Sequence, residues 1–175
     1  MTAREYAVER VVVGRGNGIE LVVVAAGTAD REPQESARDH VNLVIDDVVR
    51  IALCDGARGL WTYLDDNPQY DSYEKLVDYH HTTEHLSRAA EAVFGKGSRK
   101  AQDWYNKYCS KLKGEDSGAG RVLRSLDYYE RTAKLSKSRR EALATERTFF
   151  TRNEHRMDYA RFRRNGWPIG SGPVE

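Results

Sequence analysis

The sequence predicts an α/β fold with an all-helical segment set into it, and three observations carry that reading. Two short apolar runs each end in an aspartate and give way to a helical pattern. A pair of valine-rich runs precedes them. From about Ser98 onward every periodic stretch is helical, basic and aromatic.

The elements follow in order. "YAVERVVVG" and "GIELVVVAAG" are β-rich and separated by glycines and an asparagine, which predicts a hairpin. "DREPQESARDHVNLVIDDVVR" is predicted helical. Pro33 sits near its start, and Val41, Val44, Ile45 and Val48 recur at helical spacing. "RIALCDGARGLW" reads as a strand, then Asp55-Gly56, then a new helix. "YEKLVDYHHTTEHLSRAAEAVF" repeats the plan with a strand around Leu76–Val77, then Asp78, then an amphipathic helix. Ligands of α/β sheets collect at such carboxyl ends. "RKAQDWYNKYCSKLK", "GRVLRSLDYYERTAKLS" and "SRREALATERTFFTRNEHRMDYARFRRNG" are the later helical tracts, with "GEDSGAG" as a loop between the first two.

Composition narrows the function. The chain has 175 residues, 31% of them charged and 39% hydrophobic, enough to build a globular core. No apolar run approaches the roughly 18 residues of a membrane span, and "MTAREYAVER" lacks a signal peptide's apolar centre. Cys54 and Cys109 are too few for a disulfide framework, so a reducing cytoplasm is the expected setting. The net charge of +1 conceals an asymmetry. Residues 1–97 hold 10 Lys and Arg against 17 Asp and Glu, whereas residues 98–175 hold 18 against 10. An acidic part joined to a basic one suits a protein that holds cations in one place and touches polyanions in another; charged helical surfaces alone give the same totals.

Several side chains are candidates for chemistry. Asp55, at a strand end before a glycine, is suited to a hard divalent cation such as Mg²⁺; it equally suits the cap of the next helix. His81 and His85 share a helical face, next to Asp78 and Glu84. They read as zinc ligands, as a polar cluster buttressing the end of the Asp78 strand, or as ordinary helix-face histidines. Glu175 follows "NGWPIGSGPV", where glycines bend and prolines stiffen the backbone. Such a turn either delivers a carboxylate to a metal site or simply lies on the surface.

Taken in order, "DGARGLW", "LVDYHHTTEHL" and "NEHRMDYARFRRNGWPIGSGPVE" resemble the DDE transposases of bacterial insertion sequences. The likeness is nearest to the ISKra-type group and looser to Mutator-like and hAT elements. It runs from about Arg50 to the end and is most specific over "RMDYARFRRNGWPIGSGPVE". The resemblance implies an RNase H-like mixed sheet whose carboxylates hold two Mg²⁺ ions, with Mn²⁺ as substitute, for cleavage and strand transfer at DNA ends. It matches Asp55 to the second catalytic aspartate, Glu175 to the glutamate, and Asp78 with His81 to an accessory D-x-x-H element.

The implied organisation is an α/β core over 1–97, a basic helical insertion over 98–165 and a return to the core over 166–175. Neither run before Gly27 contains an aspartate; Asp30 follows the second run, and Asp46 and Asp47 fall on the predicted helix. The chain is therefore read as an internal part of a longer catalytic domain, lacking the first strand and inactive alone.

Partners implied are DNA and further copies of the chain, with no membrane. Arg139, Arg140, Arg147, Arg152, Arg156, Arg161, Arg163 and Arg164 are expected to meet phosphates. Trp104, Tyr105, Tyr128, Tyr129, Phe149 and Trp167 either stack on bases or pack the helices. The alternative reading is a transposase-derived module for DNA binding or oligomerisation, without the chemistry.

Overall fold

The computed structural model describes residues 7–16, 19–27 and 49–170, with side chains from residue 49 onward. The protein is a mixed α/β molecule, mostly helical. The helix read over residues 30–50 falls largely outside the described residues, as do Asp30, Asp46, Asp47 and Glu175; its expected last two residues, Val49 and Arg50, open a strand instead. Two compact units divide the chain, Met1–Lys75 and Leu76–Glu175.

In the first unit, β1 (Ala7–Gly16) and β2 (Ile19–Gly27) form the expected antiparallel hairpin, in register from Ala7 opposite Gly27 to Gly16 opposite Ile19. The register shifts between Val12 and Arg15, which marks a bulge or irregularity. β3 (Val49–Cys54) lies parallel to β2, from Ile19 opposite Val49 to Val24 opposite Cys54. A parallel pair needs a long connection, and residues 28–48 supply it. Ile51, Ala52, Leu53 and Cys54 are all buried, the run expected of a strand covered on both faces. α1 (Arg58–Asp66) follows and buries Leu60, Trp61 and Leu64.

β4 (Glu74–Val77) crosses the boundary between the units. In the second unit, α2 (Tyr79–Phe94), α3 (Arg99–Gly114), α4 (Gly118–Thr132), α5 (Lys137–Asn153) and α6 (Tyr159–Arg164) pack as a helical cluster. α2 packs on α3 and α5, α4 on the same two helices, and α6 on α3. Leu86, Leu112, Val122, Leu126, Leu143, Phe150 and Phe162 fill the centre.

Side chains set most of these helix starts. Asp78 caps α2, Ser98 caps α3, Ser136 caps α5 and Asp158 caps α6. The structure differs from the sequence reading in three places. The compact units divide at Lys75/Leu76 and not at residue 97, because α2 buries its apolar face against α3 and α5. The last helical tract is two helices. Asn153 turns its side chain onto the Phe149 carbonyl at 3.0 Å and is buried, and Asp158 then starts α6. The expected loop "GEDSGAG" is also shorter, since α4 already begins at Gly118.

Gly118 marks the closest approach of two backbones. A Cβ there would lie 2.7 Å from the Lys111 carbonyl oxygen and 2.8 Å from Leu112 Cα. Neither atom belongs to a flexible side chain, so α3 and α4 would have to part. Gly118→Ala is expected to cost about 1–3 kcal/mol, seen as a lower thermal midpoint. Gly114→Ala, which meets nothing within 4 Å, is the control and should leave the midpoint level or raise it.

Candidate functional site

Asp55 follows β3 and is half-buried. Its Oδ1 accepts a hydrogen bond from the Ala57 amide at 2.8 Å, across Gly56. Gly56 has φ of 88°, a left-handed conformation that admits glycine without strain. The turn therefore fixes the carboxylate's direction, while the residue capping α1 is Ala57. A carboxylate oriented by its own backbone, at the carboxyl end of a buried strand, has the donor chemistry that Mg²⁺ takes.

In the second unit, Asp78 follows β4 and is 8% exposed. Its Oδ1 accepts from the His80 amide at 2.7 Å and the His81 amide at 3.3 Å. Asp78 and His81 are thus joined through the backbone that opens α2. The His81 ring lies elsewhere, with Nδ1 3.7 Å from Glu84 Oε2 and an edge contact to the His85 ring at 5.0 Å.

His85 belongs to a closed polar cluster. Its Nδ1 is 2.6 Å from Oε2 of Glu146, which is only 6% exposed. Arg88 Nε donates to the other Glu146 oxygen at 3.2 Å. The His85 ring stacks on Phe149 at 3.4 Å with planes 9° apart. Among the described residues no group of three or more His, Cys, Asp or Glu side chains converges on a point where a metal could sit. This cluster binds α2 to α5.

The chain returns to the start of α2 after α6. The Tyr79 amide donates to the Ile169 carbonyl at 2.8 Å. At Gly170 an added Cβ would lie 3.2 Å from His80 Cδ2 and 3.9 Å from Asp78 Oδ1. Ile169 and Gly170 therefore lie beside the start of α2 and Asp78; Glu175 lies outside the described residues.

Tyr159 fastens this return. It is fully buried, and its hydroxyl donates to the Val77 carbonyl at 3.0 Å. That leaves the Thr82 hydroxyl, 2.6 Å away, to donate to the phenol oxygen. Tyr79 meets Tyr159 edge-on at 5.2 Å and reaches the Cys109 carbonyl at 3.3 Å. Burial pushes the Tyr159 and Tyr79 hydroxyls far above the ordinary tyrosine range, and those of Tyr105 and Tyr129 upward as well. The sequence marked Tyr159 only as an aromatic inside "MDYARF", and Thr82 and Glu146 carried no signal of burial.

The predicted DNA-binding residues divide by what they already hold. Arg139 donates to the Ala92 and Val93 carbonyls at 2.9 and 2.6 Å, closing the end of α2, so its expected DNA role gives way to packing. Arg147 is paired with Asp127 and Glu130. Arg161 bonds Asp158 at 3.2 Å, Arg163 the Lys113 carbonyl at 3.2 Å, and Arg164 Asp116 at 2.8 Å. Trp167 is half-buried, edge-on to Phe162 at 5.1 Å and with the Arg161 guanidinium over its ring at 5.7 Å. Arg156 is half-buried. Arg140 and Arg152 are exposed, without side-chain bonds or ion pairs among the described residues. Trp104 is buried and bonds Ser125, and Phe149 is the stacking partner of His85.

The chain matches no protein-family model, no curated protein and no solved structure.

Tyr159→Phe deletes the hydroxyl that joins Val77 to Thr82 and should cost about 1–3 kcal/mol in denaturant unfolding at neutral pH. The alkaline limb has a definite sign. Tyrosines whose folded pKa is raised contribute stability that is fully present below about pH 10, the unfolded value, and is lost as pH rises above it. Stability is expected to fall above about pH 10, and less steeply in Tyr159→Phe.

Proposed function

We propose that the chain is part of the catalytic domain of a DDE-type transposase, built on an RNase H-like core, that cleaves and joins DNA at the ends of an insertion sequence with Mg²⁺. The observation that carries this reading is the return of the chain to the start of α2. Residues 98–165 are helical, and after them the Ile169 carbonyl accepts from the Tyr79 amide, next to Asp78, at 2.8 Å. That is the layout expected if a helical insertion separates the last catalytic carboxylate from the aspartates.

Asp55 and Glu175 would hold the metal. Asp55 fits, as an oriented oxygen donor with Oδ2 unpartnered among the described residues. Bound Mg²⁺ would supply charge stabilisation for an in-line displacement at phosphorus. Asp78 acts as a positioning residue: its Oδ1 fixes the first turn of α2, whose Tyr79 amide meets the returning segment at Ile169. The arginines of α6 supply sequence-independent attraction to phosphate.

A second reading, a DNA-binding or oligomerising module without chemistry, draws on one observation. Asp78 is buried and caps a helix, which is a sufficient structural reason for its presence.

One experiment separates the two readings and a second tests the DNA surface. In the full reading frame, Asp55→Asn and Glu175→Gln are expected to abolish Mg²⁺-dependent cleavage of duplexes carrying the element's ends, with DNA affinity retained. Undiminished cleavage would remove both residues from the metal site, and tight binding without cleavage in the parent would favour the second reading. Replacing Arg161, Arg163 and Arg164 together with alanine should make the slope of log affinity against log salt shallower by about 2 to 3. An unchanged slope would locate the DNA surface elsewhere.

A further inference from the structure

α4 has an outward face whose arginines are not among the DNA-binding residues above, and it carries Tyr128, one of the aromatics expected either to stack or to pack. Arg121, Arg124, Tyr128 and Arg131 recur at spacings of three and four and are all exposed. They form one stripe about 15 Å long. The acidic residues of the same helix, Asp127 and Glu130, are both engaged by Arg147 of α5. Arg121 is paired with Glu115 at the stripe's first turn. Arg131 spends its Nε on the Asp127 carbonyl, and Arg124 has no side-chain partner among the described residues.

Tyr128 stands in the middle of this cationic stripe. At 56% exposure it is the large apolar side chain left open to solvent among the described residues. It is also braced. Tyr129 meets it edge-on at 5.2 Å, and Tyr129 in turn meets Phe94 at 5.0 Å. A ring held by other rings loses little freedom when something stacks on it. An aromatic face between guanidiniums matches the chemistry of an unpaired nucleotide: the base stacks, and the flanking phosphates meet the arginines. A duplex offers phosphates but keeps its base faces inside the stack.

We infer that the exposed face of α4 is a single-stranded DNA contact surface, with Tyr128 as the stacking residue and Arg121, Arg124 and Arg131 as phosphate contacts. The inference rests on the DNA-processing reading for its choice of polyanion.

The test is fluorescence anisotropy with a labelled oligo(dT) and a duplex of equal length, titrated over a range of salt. Tyr128→Ala is expected to weaken oligo(dT) binding about tenfold without changing the salt slope, and to leave duplex binding alone. Tyr128→Phe keeps the ring and should bind as the wild type. Replacing Arg121, Arg124 and Arg131 with alanine should make the oligo(dT) salt slope shallower by about 2. Wild-type binding by Tyr128→Ala, an equal loss on duplex, or an unchanged slope in the arginine variant overturns the inference. Oligo(dT) binding requires no cleavage, so a failure of the metal chemistry reads out separately.

Discussion

The Tyr159 hydroxyl is the joint on which the second unit is organised. Its single proton goes to the Val77 carbonyl, and it accepts the proton of Thr82. Two consecutive elements, the end of β4 and the start of α2, are thereby tied to the start of α6, which lies far along the chain. All three oxygens belong to buried residues, so each would be expensive to leave unpaired. The phenol satisfies two of them while its ring fills space against Tyr79. A phenylalanine could fill the same space without the bonds, which is why position 159 carries more than volume. Because α6 is fixed there, the residues after it are delivered to the first amide of α2.

The cluster's other polar contacts follow the same economy of donors and acceptors. The last carbonyls of a helix have no partner within it. At the end of α2, Arg139 meets two of them from α5, and so joins helices while capping one. Glu146 is a costlier device. A buried carboxylate must be matched on both oxygens, and His85 and Arg88 do so from one face of α2. With Phe149 against the imidazole, α2 and α5 are locked in one rotational setting. Apolar packing alone would define that setting less sharply.

What was legible in the sequence is what local chemistry determines. The hairpin followed from valine-rich runs and a glycine turn, the bend after Asp55 from Gly56, and β4 from a short apolar run before an aspartate. The membership of α2 was not legible. Its apolar face looks the same whether it covers a sheet or other helices, and only contacts with α3 and α5 decide. The break between α5 and α6 was hidden for a related reason. Asn153 and Asp158 are ordinary in a helical tract until one folds onto a carbonyl and the other caps a new start. His81 and His85 share a face as their spacing required, yet only His85 found the buried glutamate on another helix.

Charge shows the same division between composition and employment. The basic excess after residue 97 suggested one polyanion-binding surface, but the arginines there do different work. Arg139 is committed to carbonyls and Arg147 to carboxylates, both inside the helical cluster. Arg147 of α5 engages both carboxylates of α4, Asp127 and Glu130, so the exposed Arg121, Arg124 and Arg131 are not neutralised by an unengaged carboxylate of their own helix. An internal ion pair therefore sets the sign of an external face. Electrostatic complementarity to a partner depends on such residual charge, the part left after intramolecular pairing, and exposed pairs such as Arg164 with Asp116 give up their contact at little cost. The arginines of α6 and those of α4 remain able to meet phosphate for that reason, whereas Arg139 would have to abandon the end of a helix to do so.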